Sequence, residues 1–301
     1  MVGGSSVVLD KLDPQKIRFI DIGGVRTRYY EDGVGEPLIL FHGGHFGSWY
    51  SLDCWSLNLV DLAKHFHVYA VDKLGQGHTG NPKSDAGYTF EALFEHALGF
   101  VETMGISGGH FLGHSRGALL VANFAIERPD LVKTLVIVDS NTLAPDSPML
   151  PTRRFYTSLP IPPGPPTREG VRVEPEAQSY SNAHITDDFI ARMLEVAQLS
   201  KNEEAKARIE VLDATVWTPS LNRKRQEILR KIDEEGIPVS TLVIWGANDL
   251  SSPLPLAYTL FERIAVKTRQ AGMHVLNGAG HYSFREQPQA FNRAVWSYCL
   301  G

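Results

Sequence analysis

A serine lies between two glycines in the middle of the chain, in the stretch Gly113-His114-Ser115-Arg116-Gly117. This Gly-x-Ser-x-Gly pattern is typical of a sharp turn that presents a nucleophilic hydroxyl, provided that a strand precedes it and a helix follows. The apolar runs "HFL" and "ALLVANFAI" on either side supply that context. The glycines let strand and helix approach, and the helix N-terminus stabilises developing negative charge. We therefore predict that Ser115 is a catalytic nucleophile.

A serine hydroxyl is a weak nucleophile unless a base removes its proton. Of the eleven histidines, His281 in "NGAGHYSF" is best placed, between the last short strand and the last helix. The carboxylate that orients such a base should end a late strand, as Asp249 does in "VIWGANDLSSP". Asp139 in "VIVDS" ends an earlier strand and stays open as the alternative acid. The expected triad is Ser115, His281 and Asp249.

The oxyanion that forms during acyl transfer needs two backbone N–H donors. One is expected from Arg116, which follows the nucleophile. The other should come from the loop "FHGGHFG", where Gly44 is favoured and His45 is the alternative. Gly43 lets the backbone come close, so Gly43 and His45 are also expected to border the substrate.

Short apolar runs alternate with helix-like segments, which predicts a mostly parallel sheet with helices on both faces. Two alternating runs near the N-terminus, "IRFIDIGG" and "VRTRYYEDG", predict a hairpin, and "LNLVDLAKHF" has helical spacing. After residue 140, the proline-dense stretch up to "TREG" is expected to contain neither regular helix nor central strand. Helical patterns follow before the strand pattern resumes. The predicted organisation is a core in residues 1–140 and 237–301, with a helical lid in residues 141–236.

The composition narrows the classes of function. Hydrophobic residues make up 43% and charged residues 21%, as in a globular protein, and the net charge of −5 argues against a general nucleic-acid binder. Cys54 and Cys299 have no metal-ligand spacing and offer no disulfide framework, so we expect no metal site and a reduced, cytoplasmic setting. We also expect no cofactor. No apolar run reaches the length of a membrane span. The expected partner is a small-molecule substrate.

The stretches "FHGGHFGSW", "VDKLGQGHTGNP", "GHSRGALL", "WGANDLSSP" and "GAGHYSFREQP" occur in the order typical of the α/β-hydrolase superfamily, which the chain resembles over nearly its whole length. Within it, the chain is most similar to the meta-cleavage product hydrolases. That resemblance implies an α/β-hydrolase fold with a lid, and cleavage of a carbon–carbon bond in vinylogous diketo acids from ring-opened aromatics. It also leaves a homo-oligomer open.

Several positions depart from that subfamily. Tyr282 follows the predicted base where the subfamily commonly has Trp, and is expected to border the substrate. His45-Phe46-Gly47 replaces a frequent Gly-Pro-Gly. In that subfamily a lid arginine grips the substrate carboxylate, and by the resemblance its position is occupied here by Met193. Arg192 lies one residue earlier, about 100° around the helix, so it is either a carboxylate ligand or a solvated surface residue.

The elbow "GHSRGA" is also similar to the H-D-R-G-A elbow of epoxide hydrolases and haloacid dehalogenases, with Ser in place of Asp. By that resemblance, the Arg116 guanidinium either pairs with an anionic substrate or packs outward. The alternatives to carbon–carbon cleavage are a carboxylesterase or lactonase. Further outside lie a cofactor-free dioxygenase and a non-catalytic ligand receptor on the same fold. Whether Ser115 acts as nucleophile or as base for water also stays open.

Overall fold

The computed structural model describes residues 10–147 and 152–301, and eight of its strands pair into one sheet. The strands are β1 (Ile17–Ile22), β2 (Val25–Asp32), β3 (Pro37–Phe41), β4 (His67–Val71), β5 (Gly109–His114), β6 (Val132–Val138), β7 (Ser240–Gly246) and β8 (Ala271–Leu276). Their order in the sheet is β1-β2-β4-β3-β5-β6-β7-β8. The first two strands form the predicted antiparallel hairpin, β2 pairs antiparallel with β4, and the remaining pairs are parallel. The predicted mostly parallel sheet is confirmed.

Both faces of this sheet are buried, because side chains along a strand point alternately to opposite faces. In β3, Ile39 and Phe41 join one apolar cluster, while Leu38 and Leu40 join the other. Such near-continuous apolar strands are typical of a parallel sheet covered by helices on both sides. The burial of both sheet faces therefore agrees with the predicted α/β fold.

Helices cover these faces and fill the segment between β6 and β7. They are α1 (Leu59–Leu62), α2 (Phe90–Thr103), α3 (Arg116–Glu127), α4 (Thr152–Thr157), α5 (Arg168–Gln178), α6 (Asp187–Ala197), α7 (Ser200–Leu212), α8 (Thr218–Glu235), α9 (Leu254–Lys267), α10 (Ser283–Glu286) and α11 (Pro288–Leu300). Side chains from α2, α3, α8 and α9 join one apolar cluster, whereas α1 and α11 pack on the other. None of the described helices is both long enough and apolar enough to cross a bilayer.

The segment between β6 and β7 is more helical than the sequence predicts. The proline-dense stretch contains α4, whose six residues lie between prolines and include none themselves. It also contains the start of α5, where the Thr167 hydroxyl accepts a hydrogen bond from the amide of Gly170 at 3.1 Å and so caps the helix. Both helices begin in short proline-free segments, so the proline content of the whole stretch does not predict them. The limits 141–236 of the lid stay a prediction.

The helical spacing of "LNLVDLAKHF" predicts a longer helix than the structure contains. The α-helix there is only Leu59–Leu62, and a 3-10 helix at Leu52–Trp55 precedes it. Leu59 and Leu62 are buried, so the apolar periodicity reports packing against the sheet rather than a long helix.

Candidate active site

The residues predicted to do chemistry gather at one edge of the sheet. Ser115 directly follows β5, and Asp139 directly follows β6. Asp249 lies in the loop after β7, and His281 lies between β8 and α10. Because these four strands are parallel neighbours, their carboxyl ends meet at the same edge, which is where open α/β sheets bind ligands.

The turn at Ser115 has the geometry of a nucleophile elbow. Ser115 has φ 54° and ψ −120°, a strained conformation for a residue other than glycine. A Cβ at Gly113 would lie 2.2 Å from the carbonyl oxygen of Gly117, and one at Gly117 would lie 2.3 Å from that of Phe41. Both glycines are therefore required by close backbone approach. The Ser115 amide donates to the Val138 carbonyl at 2.8 Å, which fixes the elbow to the neighbouring strand.

His281 and Asp249 form a buried hydrogen-bonded pair. The His281 Nδ1 and Asp249 Oδ2 atoms are 2.6 Å apart, and both residues are 3% exposed. The other oxygen of Asp249 accepts from the amides of Ser251 and Ser252, each at 2.8 Å. An Nδ1–H donated to Asp249 leaves the lone pair on Nε2 of the imidazole, the form a general base needs.

His114 connects this pair to the elbow. Its Nε2 lies 2.9 Å from the backbone carbonyl oxygen of His281, and the two imidazole centroids are 4.6 Å apart. Since His114 directly precedes Ser115, the loop that carries His281 packs against the elbow itself.

Asp139 is occupied by other partners. Its oxygens accept hydrogen bonds from the Gly246 amide at 2.7 Å and the Ser283 hydroxyl at 2.5 Å. Burial, followed by the nearby charge of Asp249, raises the pKa of Asp139 well above its ordinary value. It therefore ties β6 to β7 and to α10, while Asp249 holds the imidazole.

The environment of His281 predicts the acidic limb of the pH–rate profile. Burial alone would lower its pKa, but Asp249, and more weakly Asp139 and Glu174, outweigh burial and raise it. A base must be unprotonated to accept a proton, so kcat/KM should fall about tenfold per pH unit below a midpoint above the ordinary value of about 6.5. Glu174→Gln should move this midpoint down, because it removes one of the raising charges.

The matched control for that shift is Glu176→Gln. Glu176 lies on the same helix but pairs with Arg172 at 3.3 Å and is not among the groups that shift His281. Kinetics of both variants between pH 5 and 9 would contradict the prediction if the two midpoints moved equally.

The loop after β3 lies against the elbow. A Cβ at Gly43 would be 3.0 Å from that of Ser115, so only a glycine backbone comes this close. The amides of Gly44 and Arg116 have no hydrogen-bond partner within the described ranges, whereas the His45 amide donates to the Ser48 hydroxyl at 3.2 Å. Of the two expected donors in this loop, Gly44 is thus the one whose N–H is free.

The helical segment between β6 and β7 contributes groups that no sequence motif indicates. Gln178, at the end of α5, accepts a hydrogen bond from the His281 amide through its carbonyl at 2.9 Å. Its side-chain amide lies 3.3 Å from the Ser251 hydroxyl beside the triad acid, and its Oε1 lies 3.4 Å from the Tyr50 hydroxyl. Glu174 lies one turn earlier on α5, and burial raises its pKa. Such contacts join residues distant in sequence, so no local pattern reports them.

Tyr282, predicted to border the substrate, is buried next to His281. Its hydroxyl donates to that of Tyr50 at 2.8 Å, and its ring centroid lies 6.0 Å from that of His281. His45, in the loop after β3, is half-buried. Burial and then the charge of Arg116 lower the pKa of His45 to about 4.

Arg192 is bound elsewhere, which corrects both expectations for it. Its guanidinium donates to the carbonyl and carboxylate of Asp10 at 2.8 and 2.9 Å, and lies 3.6 Å from Asp53. Only 18% of its side chain is exposed, so it is not a solvated residue either. Asp10 also pairs with the fully buried Arg285 at 2.8 Å. Arg192 thus fastens α6 to the core, and its charge is already neutralised.

Comparison with known sequences places the chain in a family. The sequence model of the alpha/beta hydrolase family matches residues 38–294. The chain belongs to this family. A 2-hydroxy-6-oxo-6-(2'-aminophenyl)hexa-2,4-dienoic acid hydrolase of Metapseudomonas resinovorans is 30% identical over 290 residues, covering 93% of this chain and 90% of the relative. A 2-hydroxymuconate semialdehyde hydrolase of Pseudomonas sp. strain CF600 is 26% identical, covering 95% and 94%.

Solved structures agree with this alpha/beta hydrolase assignment. A serine hydrolase involved in carbazole degradation superposes with a TM-score of 0.73 at 26% identity, covering 94% of this chain and 98% of the other. A meta-cleavage product hydrolase from Pseudomonas fluorescens IP01 shares the fold, with a TM-score of 0.75 at 24% identity and the same two coverages. The predicted fold and the resemblance to meta-cleavage product hydrolases are confirmed, and the protein is a hydrolase.

Proposed function

We propose that this protein is a serine hydrolase that cleaves a carbon–carbon bond in a ring-fission product of aromatic catabolism. The observation that carries the proposal is the buried His281–Asp249 pair beside the strained elbow of Ser115. The relatives that match over nearly their whole length, and are named for dienoic acid or semialdehyde substrates, support the substrate class.

In the proposed reaction, Asp249 fixes the imidazole tautomer and His281 takes the proton of Ser115. The serine oxygen attacks a ketone carbon, and the resulting oxyanion accepts hydrogen bonds from the Gly44 and Arg116 amides. Ketonisation of the dienol beforehand conjugates the departing carbanion with a carbonyl, and the protonated His281 returns a proton to it. Water then hydrolyses the acyl-enzyme.

The side chain of Arg116 is the proposed ligand for a substrate carboxylate. Its Nε is buried without a hydrogen-bond partner, and it forms no ion pair within the residues that the structure describes. Its charge lowers the pKa of His45 and opposes the rise that burial causes in the pKa of Glu174, which supports a role close to both residues. An unpaired guanidinium beside the nucleophile suits a planar anionic group.

Arg116→Met should raise KM for a carboxylate-bearing ring-fission product by about 10–100-fold, the loss expected for charge-assisted hydrogen bonds. KM for a neutral nitrophenyl ester should stay within about threefold, because the backbone amide of the residue is retained. Arg192→Met is the control: its guanidinium is held by Asp10, so KM should not change. Steady-state kinetics on both substrates test this prediction. If KM for the ring-fission product rose only in Arg192→Met, the ligand of the substrate carboxylate would be Arg192 on α6.

The proposed reaction itself is tested by following the yellow chromophore of a panel of ring-fission products. Rapid bleaching, with formation of a carboxylic acid and a hydroxydienoate, is the expected result. Turnover of nitrophenyl esters without bleaching would contradict it.

A carboxylesterase or lactonase is the second candidate. The pairing of Arg192 with Asp10 favours it, because the lid arginine expected to grip a substrate carboxylate is not available. The geometry around Ser115 suits acyl transfer from an ester equally well. The same substrate panel separates the two functions.

A further inference from the structure

Lys73 is a fully buried lysine that the proposed reaction does not use. It lies in the loop after β4, is 2% exposed, and donates through Nζ to the backbone carbonyl of Gly44 at 3.1 Å. Within the described part of the chain, no carboxylate forms an ion pair with it. Burying an amine without a counterion is costly, so a compensating role is expected.

The bond from Lys73 fixes one peptide group of the loop after β3, residues 42–47, which we call the oxyanion loop because it carries the expected Gly44 donor. In a planar trans peptide, the carbonyl and the next amide point in opposite directions. Lys73 holds the carbonyl of Gly44, and the Ser48 hydroxyl accepts from the His45 amide of the same peptide at 3.2 Å. This peptide is therefore anchored at both ends, with the His45 N–H committed to Ser48.

The preceding peptide is anchored in the same manner. The His42 Nδ1 lies 2.8 Å from the carbonyl oxygen of Gly43, while its Nε2 accepts from the Lys73 amide at 3.3 Å. Since the Gly43 carbonyl points toward His42, the Gly44 N–H points to the opposite side. His42 and Lys73 thus form one buried unit that orients two successive peptides.

These anchors matter because the loop is intrinsically free to rotate. Gly44 has φ 77°, a conformation that glycine leaves without steric cost. If the Gly43–Gly44 peptide rotated, it would present the carbonyl oxygen of Gly43, instead of the N–H of Gly44, to the oxyanion that forms at Ser115. Removing one oxyanion donor lowers kcat by about 10²–10³-fold in other serine hydrolases.

We propose that Lys73 is a positioning residue that keeps the oxyanion loop in its productive orientation through the carbonyl of Gly44. The inference rests on the proposed function in one respect, namely that Ser115 is the nucleophile. Burial and the charge of Arg116 lower the pKa of Lys73 well below its ordinary value. A neutral amine still has N–H donors, so the anchoring holds in either protonation state.

Lys73→Met keeps an unbranched apolar side chain as far as Cε and removes the terminal Nζ donor. We expect kcat to fall by about 10–100-fold and KM to change by less than threefold, on a nitrophenyl ester and on a ring-fission product alike. The acidic limb of the kcat/KM profile should not move, because the His281–Asp249 pair is untouched. Labelling by a fluorophosphonate should slow in parallel, since its phosphonyl oxygen accepts hydrogen bonds from the same two amides, those of Gly44 and Arg116.

Lys201→Met is the matched control. Lys201 is a half-buried lysine whose Nζ atom is itself buried without a hydrogen-bond partner within the described residues, so its side chain does not anchor a loop peptide. Its replacement should leave kcat within about threefold. Equal losses in both variants would overturn the proposal, as would a folded Lys73→Met enzyme with wild-type kcat.

Two further measurements keep the outcomes separate. If Lys73→Met does not fold, Ser48→Ala removes the other anchor of the same peptide and should lower kcat without raising KM; an unchanged kcat there overturns the proposal. If the wild-type enzyme hydrolyses esters but leaves the ring-fission chromophore intact, the carbon–carbon reaction fails while the role of Lys73 is still measured on the ester.

Discussion

Replacing Ser115 by alanine is expected to lower kcat by about 10⁴–10⁶-fold while leaving the fold intact. The hydroxyl does not cap α3, so no structural hydrogen bond is lost. Alanine occupies the same volume and meets the same strain at φ 54°. The residual rate should be that of the oxyanion donors and binding alone, about 10³–10⁴-fold above the uncatalysed reaction.

Ser140→Ala is the control for this variant. The Ser140 hydroxyl donates to the carbonyl of Ser115 at 2.6 Å, so its loss disturbs the support of the elbow but keeps the nucleophile. We expect a lower melting temperature and a rate loss of at most about 100-fold. Fluorophosphonate labelling should survive in Ser140→Ala and vanish in Ser115→Ala. A Ser115→Ala enzyme with full activity would instead favour a reaction in which His281 and Asp249 act as base without the serine, as in a cofactor-free dioxygenase.

The parts of the site that follow from the sequence are those attached to a local pattern. Ser115 lies where an apolar strand meets a helix between two glycines, and Asp249 and His281 each lie in a loop after a strand. A parallel sheet then brings these strand ends together without further information. The same logic explains why the order of motifs was enough to identify the fold.

The remaining groups depend on contacts between distant segments, which no periodicity encodes. Asp10 and Arg285 are 275 residues apart, yet they form the buried pair that also captures Arg192. Lys73 looks like an ordinary charged loop residue until the fold buries it under Gly44. Helical spacing placed Arg192 near the expected carboxylate ligand, but side-chain pairing, rather than helix phase, decides what a guanidinium binds.

The choice between the two buried acids gives the second large effect. Asp249→Asn should lower kcat by about 10⁴-fold, because the amide nitrogen cannot accept the Nδ1–H of His281. The imidazole would then carry its proton on Nε2 and have no lone pair for Ser115. At 2.6 Å, the Asp249–His281 contact is the one that sets this tautomer.

Asp139→Asn is the matched comparison, since it makes the same chemical change one strand away. An asparagine oxygen still accepts from the Gly246 amide, and its NH₂ group donates to the Ser283 hydroxyl in place of accepting from it. Burial already raises the pKa of Asp139, so a neutral amide resembles the form that its surroundings favour. We therefore expect less than a tenfold loss of kcat.

Steady-state kinetics and thermal melting of both variants separate a catalytic acid from a structural one. If Asp139→Asn were the variant that lost about 10⁴-fold at unchanged melting temperature, the acid of the triad would lie at the end of β6. Losses of similar size in both, with the double variant no worse than either, would instead show that the two carboxyls act on His281 as one unit. The hydrogen bonds place only Asp249 on the imidazole, and that asymmetry is the physical basis for expecting the two effects to differ by about a thousandfold.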